Sequence, residues 1–383
     1  GDFSDTAVRV VADYATAEIA YALSRFGENS GQGWYTEDYD RALDILEEIY
    51  PGIKSDPQTR ELATIIISIA SNSTDVSINL ARVLYALESY KNNKDGHLPM
   101  GIGVGKAMGA IDSTIRRYNN LLDLMGGNAI AAGEFLRQEA PLGELKKIAM
   151  EKFGVKTMTA LKQMGVATDP EWNDSEVLPM SVLVFGPKIG VFYSNLSGLD
   201  GAPTVDRWCI RTIYRYRGDM RSKVAIKDVY EFAKAEGIEG ASNLQVLKKA
   251  KEFHKIKESI LQHKGKYAGI SKEKARRLVA PFNRGHAIWD RHRGVVNSIE
   301  DALGDANVTN KDAYKRDFRS FTRRVFELTQ EDMVKAGVKL SISDIQAILW
   351  LFEKRLFSYL GVAQRPDSTY SAAAATMLGR IKS

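Results

Sequence analysis

Apolar residues recur along most of the chain three or four positions apart, and extended alternating runs are scarce, so the pattern predicts a mainly α fold. Residues 6–26 and 37–50 read as two opening helices, separated by the turn-rich GENSGQG. Two more are predicted over 58–90, broken near Ser71 to Thr74, where four polar residues interrupt the apolar pattern. The polar loop KNNKDGHLP and the glycine-rich GIGVG lead into helical stretches at 107–125, 128–139 and 142–165, and TDPEWNDSE follows as a loop. From Leu178 the chain turns apolar, passes Phe185-Gly186-Pro187 and continues as a helix to Leu196. Glycine before proline marks a helix start, because proline suits the first helical position and presets its φ angle. SGLDGAP forms the next loop, and a helix after Thr204 to Asp206 runs to Arg217. From 225 the chain is helical and at first basic. It is expected to end with an amphipathic helix opened by the capping box Ser343-Asp-Ile-Gln346, with Ile345, Ile348, Leu349, Phe352 and Leu356 as its buried stripe.

Composition narrows the class. The chain has 383 residues, 44% of them hydrophobic, enough to bury a sizeable core in one large or two ordinary domains. No run approaches the ~18 apolar residues of a membrane span, and no export signal is visible at the start, so a soluble cytoplasmic protein is expected. One cysteine, Cys209, excludes an internal disulfide and any cluster held by several cysteines of this chain. The net charge of +5 is unevenly spread: residues 221–300 carry 18 Lys and Arg against 9 Asp and Glu, a net +9, while the rest carries 35 against 39, a net −4. That asymmetry suits a polyanionic partner, although a charged, solvated helix face would read the same way. The sequence GIGVGKAMG lacks the first glycine of a phosphate-binding loop, since Met100 stands there, and the five histidines show no zinc-ligand spacing, so neither a cofactor nor a metal is expected.

Two residues carry candidate chemistry. Lys188 sits in the first turn of the helix begun by Pro187, and Asp206 heads the next helix, 18 residues on. A helix of about ten residues rises ~15 Å and an eight-residue return loop spans at least that, so the two helix starts can meet. The helix dipole there disfavours the lysine cation and favours the carboxylate anion. Lysine needs such help, because its ordinary pKa near ~10.4 leaves little neutral amine at pH 7. Taken alone, Asp206 also reads as an ordinary N-cap, and Lys188 as a solvent-facing or phosphate-contacting side chain.

The surrounding sequence resembles a known family. VLVFGPKIGVFYSNLSGLDGAPTVDRW is similar to the signature of the helix-hairpin-helix DNA glycosylases, in which a Gly-x-Lys hairpin leads to a second helix and then to a hydrophobic-Val-Asp segment. Upstream, TIIISIASNSTDVSINLARVLYAL resembles the endonuclease III-type stretch, where an apolar helix ends in a polar turn followed by Thr-Asp-Val-Ser and another helix. Four departures stand out: Val182, Leu183 and Val184 occupy the usual Leu-Pro-Gly positions, Trp208 stands where histidine is common, the lone cysteine excludes an iron-sulfur cluster, and a long insertion separates the two motifs.

The resemblance implies a fold of two helical subdomains with a helical C-terminal extension, divided as 1–54 (N-terminal helices packing on the core), 55–224 (glycosylase-like core) and 225–383 (basic extension). It implies Lys188 as nucleophile, Asp206 as its catalytic partner, Asn72 as the residue that fills the gap left by an extruded nucleotide, and Gly186 at the hairpin's contact with DNA. Trp34, Tyr35, Tyr193 and Trp208 are candidates for a base pocket. Lys248, Lys249, Arg276 and Arg277, with neighbouring Lys251, Lys255 and Lys257, are candidates for sequence-independent phosphate contacts. The expected activity is base excision with abasic-site lyase chemistry by a monomer, needing DNA but no cofactor, in the cytoplasm (that of the host, if phage-encoded). Two alternatives stand beside it: an enzyme on the same fold that substitutes a group on thymine, as in phage hypermodification, and a noncatalytic DNA-binding module.

Overall fold

The computed structural model describes residues 3–71, 75–103, 108–217, 255–280, 316–359 and 369–382. Among them the chain is mainly helical, as the periodicity predicts, and strand is confined to one antiparallel pair. Helix α1 spans Asp5–Phe26, α2 Glu37–Glu47, α3 Pro57–Ala70, α4 Val76–Asn92, α5 Met108–Leu124 and α6 Ala129–Leu136. Strand β1 is Glu139–Pro141; α7 (Leu142–Lys152) and α8 (Met158–Gln163) follow, and β2 is Val177–Pro179. The hairpin helices are α9 (Ser181–Phe185) and α10 (Ile189–Leu196), and α11 is Arg207–Arg217. Later come α12 (Lys272–Val279), α13 (Arg316–Lys335), α14 (Ile342–Tyr359) and α15 (Tyr370–Lys382). No described helix is long and apolar enough to cross a membrane.

Local chemistry sets most of these starts. Asp56 and Asp75 open α3 and α4 by accepting the backbone N–H of Thr59 at 2.8 Å and of Ile78 at 2.9 Å. Every residue of α3 from Leu62 to Ala70 is buried, so this helix is apolar on all sides and runs through the core. Helices α4, α6 and α10 pack around it.

Three expectations are corrected. The stretch 142–165 is two helices, because Gly154, at φ +65, takes the left-handed conformation that ends α7, and Thr157 then caps α8 by accepting the Ala160 N–H at 3.1 Å. The strands are new: Glu139 pairs with Pro179, Ala140 with Leu178 and Pro141 with Val177. At three residues each, both ending in proline, they are too short to show alternation. The capping box of α14 lies two residues upstream of Ser343 and Gln346. Ser341 Oγ accepts the Asp344 N–H at 2.9 Å, and Asp344 Oδ2 accepts the Ser341 N–H at 3.1 Å. Of the expected stripe on that helix, Ile345, Ile348 and Leu349 are buried and Phe352 is half-buried. The Leu356 side chain lies outside the described residues.

The chain forms two compact units that cut across the partition 1–54, 55–224 and 225–383. One comprises Gly1–Ile213, Asn310–Leu351 and Arg365–Ser383; the other comprises Tyr214–Thr309 and Phe352–Gln364. Within the first, α1 packs on α13, and α2 packs on α15, whose Tyr370, Ala373 and Ala374 join the cluster that holds Tyr39, Ala42 and Leu43. Within the second, Ile260, Ala275 and Val279 form a small cluster with Ile256, Tyr267 and Ile270 against it.

Candidate functional site

The apolar run from Val182 folds as two short helices packed closely rather than as one. All five residues of α9 are buried, and the Gly186 N–H closes it on the Val182 carbonyl at 3.0 Å. Gly186, at φ +91, occupies a region that side-chain-bearing residues avoid, and this breaks the helix. Gly190 makes the crossing possible: a Cβ there would lie 2.4 Å from the Ser181 carbonyl oxygen and 2.5 Å from the Val182 Cα. The buried Ser181 hydroxyl donates to the Gly190 carbonyl at 2.8 Å and ties the two helices together. Lys188 is thereby fixed at the head of α10, half-buried.

Asp206 is fixed by a second set of contacts. Its Oδ1 accepts the N–H groups of Trp208 at 2.9 Å and Cys209 at 2.8 Å, so it caps α11. Its Oδ2 accepts no hydrogen bond among the described residues. Thr204, two residues earlier, is held on both sides of its backbone by one buried amide: its N–H donates to Gln346 Oε1 at 2.6 Å, and Gln346 Nε2 donates to its carbonyl at 3.0 Å. Asp200 in the preceding loop accepts the N–H groups of Ile342 and Ser343, each at 2.9 Å. The first turn of α14 thus anchors the segment that carries Asp206.

These two constructions place Lys188 where its charge acts on the Asp206 carboxyl. Burial, the larger influence, pushes the Asp206 carboxyl above its usual range; the Lys188 charge, the two cap N–H groups and Arg211 pull it back down. The net shift is therefore opposite to the one the helix dipole alone would give, because desolvation outweighs it. The same surroundings push the Cys209 thiol well above its ordinary value, by burial first and the Asp206 charge second. The buried Tyr35 hydroxyl is raised in the same way and lies against the Thr204 side chain. Lys188, Asp206 and Trp208 each keep partial exposure. The Arg211 guanidinium stacks over the Trp208 ring at 4.5 Å from its centre.

The other sequence candidates separate. Trp208 lies beside Asp206, and Tyr35 is near enough to feel its charge, while Trp34 packs on Tyr35 within an aromatic core cluster, 4.6 Å from Tyr370 and 5.5 Å from Trp350 between ring centres. Tyr193 has no exposed surface. Its hydroxyl donates to Glu61 and accepts from Arg137 at 3.0 Å, while Arg137 also pairs with Glu61, which makes it part of a closed polar network inside the core. Arg276 and Arg277 are exposed on α12, and Arg277 pairs with Glu273 one turn away at 2.7 Å. Asn72, Lys248 and Lys249 lie outside the described residues. Among the described residues no group of three or more His, Cys, Asp or Glu could hold a metal ion.

Sequence reasoning passed over Gly190 and Asp200, read Thr204 only as the approach to a helix, and gave Gln346 to a capping box. Gly190 left a signal, since an interior helical glycine costs ~1 kcal/mol against alanine and implies a close backbone approach. Gln346 left another, as a polar residue among Ile345, Ile348 and Leu349. Compared with known protein families, with curated proteins and with solved structures, the chain gives no match.

Proposed function

We propose that this chain is a DNA base-excision glycosylase with abasic-site lyase activity. The observation that carries the reading is that Lys188 and Asp206, both partly exposed, head two consecutive helices, with the lysine charge acting on the carboxyl. A target nucleotide leaves the stack at a cost of a few kcal/mol and presents its sugar to the pair. The Lys188 amine, as free base, attacks C1′; a carbon–nitrogen bond forms there as the bond to the base breaks, and the base departs with that electron pair and takes up a proton. Asp206 offers Oδ2, which accepts no hydrogen bond among the described residues, to the positive charge that develops on the sugar, and it orients the amine. Opening of the sugar ring gives a Schiff base. Loss of a C2′ proton then expels the 3′ phosphate by β-elimination. Trp208, half-exposed beside Asp206, supplies a ring on which the extruded base can stack.

Borohydride reduction of the Schiff base is the direct experiment. Wild-type protein mixed with abasic-site duplex is expected to give a covalent protein–DNA band, and Lys188→Gln none. The reading is abandoned if no adduct forms with abasic DNA and no base is released from a panel of damaged and modified duplexes.

A further inference from the structure

Arg117 on α5 reaches the hairpin. Its Nε donates to the carbonyl of Val184 at 2.8 Å, and its terminal nitrogens donate to Ser113 Oγ and Thr114 Oγ1 at 2.9 Å each. All three acceptors are neutral. Two other partly buried arginines of the same unit have carboxylate partners: Arg137 meets Glu61, and Arg323 meets Glu176 at 3.2 Å and Glu327 at 3.0 Å. Arg117 has none among the described residues, and burial lowers its pKa with no nearby anion to restore it. A guanidinium carries five N–H donors, so two of them, one on each terminal nitrogen, are left without an acceptor among the described residues. Arg117 is half-buried, and a partly desolvated cation without a counterion gains from a ligand that supplies one. The planar fork of arginine matches the paired oxygens of a phosphate. Val184, its anchor, lies four residues before Lys188 in the sequence.

We propose that Arg117 is a phosphate-binding residue, receiving a phosphate-ester anion beside the hairpin that bears Lys188. The choice of a DNA strand as the source of that phosphate rests on the function proposed above; the chemistry of the site rests on Arg117 alone. Duplex binding by wild type, Arg117→Gln and Arg117→Lys, titrated against salt, reads the contact directly. Arg117→Gln is expected to bind about tenfold more weakly at low salt, and its log–log salt dependence to flatten by about 0.9, the value of one released phosphate contact. Arg117→Lys keeps the charge and so keeps the slope. An Arg117→Gln affinity equal to wild type, or one lowered with its slope unchanged, overturns the proposal.

Phenylglyoxal labelling of the wild type, read by peptide mass, needs no variant. Arg117 is expected to label at least fivefold more slowly with abasic-analogue duplex present. Bound duplex that leaves Arg117 unprotected removes the proposal while the glycosylase reading stands. Protection by inorganic phosphate without duplex binding supports the anion site and removes the DNA reading.

Discussion

The molecule holds two buried polar centres of opposite design. At Glu61, Arg137 and Tyr193 every charge meets its complement: Arg137 pairs with Glu61, and the Tyr193 hydroxyl lies between them. At Lys188 and Asp206 the arrangement differs. The carboxyl is pushed up by burial despite the lysine charge acting on it, one of its oxygens accepts two cap N–H groups, and the other accepts none among the described residues. In the first centre the carboxylate and the hydroxyl are already engaged and hold their helices against one another. In the second a carboxyl raised by burial keeps partial exposure, and its polarity is open to a reacting sugar.

The strongest way to break this contrast is Asp206→Asn. Asparagine caps helices as well as aspartate does, so the fold is expected to survive. Base release is expected to fall about a thousandfold, the loss typical of removing a group aimed at transition-state charge. Stability should move the other way. A carboxyl whose folded pKa is raised binds more protons folded than unfolded, so its contribution falls as pH rises from the unfolded value near ~3.9 through the raised one. Urea unfolding of both proteins between pH 4 and 8 should show Asp206→Asn gaining on the wild type as pH increases across that window. A wild type that gains on the variant instead would mean that Lys188 and the cap donors overcome desolvation, and that the pair is an ordinary salt bridge.

Glu61→Ala probes the opposite centre. It strips the partner from Arg137 and Tyr193 at once and is expected to cost about 3 kcal/mol in chemical denaturation. The adduct yield per folded molecule should be unchanged, because the network touches Lys188 only through the backbone of α10. Equal loss of stability and trapping would erase the distinction between the two centres.

Residue spacing makes much of this architecture legible, and contacts across long separations account for what it hides. The helical pattern locates α1 to α5 closely, because each has a clear apolar face or a polar break at its ends. Lys188 and Asp206 are legible as a pair because both sit at helix starts in one short stretch. The sign of the shift on Asp206 is not legible, since it depends on how deeply neighbouring chain covers the carboxyl. Tyr193 reads as a pocket aromatic because Glu61, its partner, lies 132 residues away. The start of α14 is ambiguous locally, as Ser341 and Ser343 both offer a cap, and Gln346 takes part in neither box because it reaches 142 residues back to Thr204.

That contact suggests the smallest effect, which lies between the two extremes. Gln346→Leu keeps the shape and removes the amide, leaving the N–H and carbonyl of Thr204 buried without partners, a cost of about 2 kcal/mol. If Gln346 merely fills space, the surviving folded protein should release base at the wild-type rate. If it holds the segment that aims Asp206, single-turnover release should slow about tenfold at unchanged DNA affinity, since a small displacement of an aligned carboxylate is enough to weaken its effect. The acid limb of the pH–rate profile should shift as well, because a looser segment admits water to Asp206 and lowers its raised pKa. A structural role alone would leave that limb in place, so the profile decides whether the α14 anchor belongs to the chemistry or to the fold.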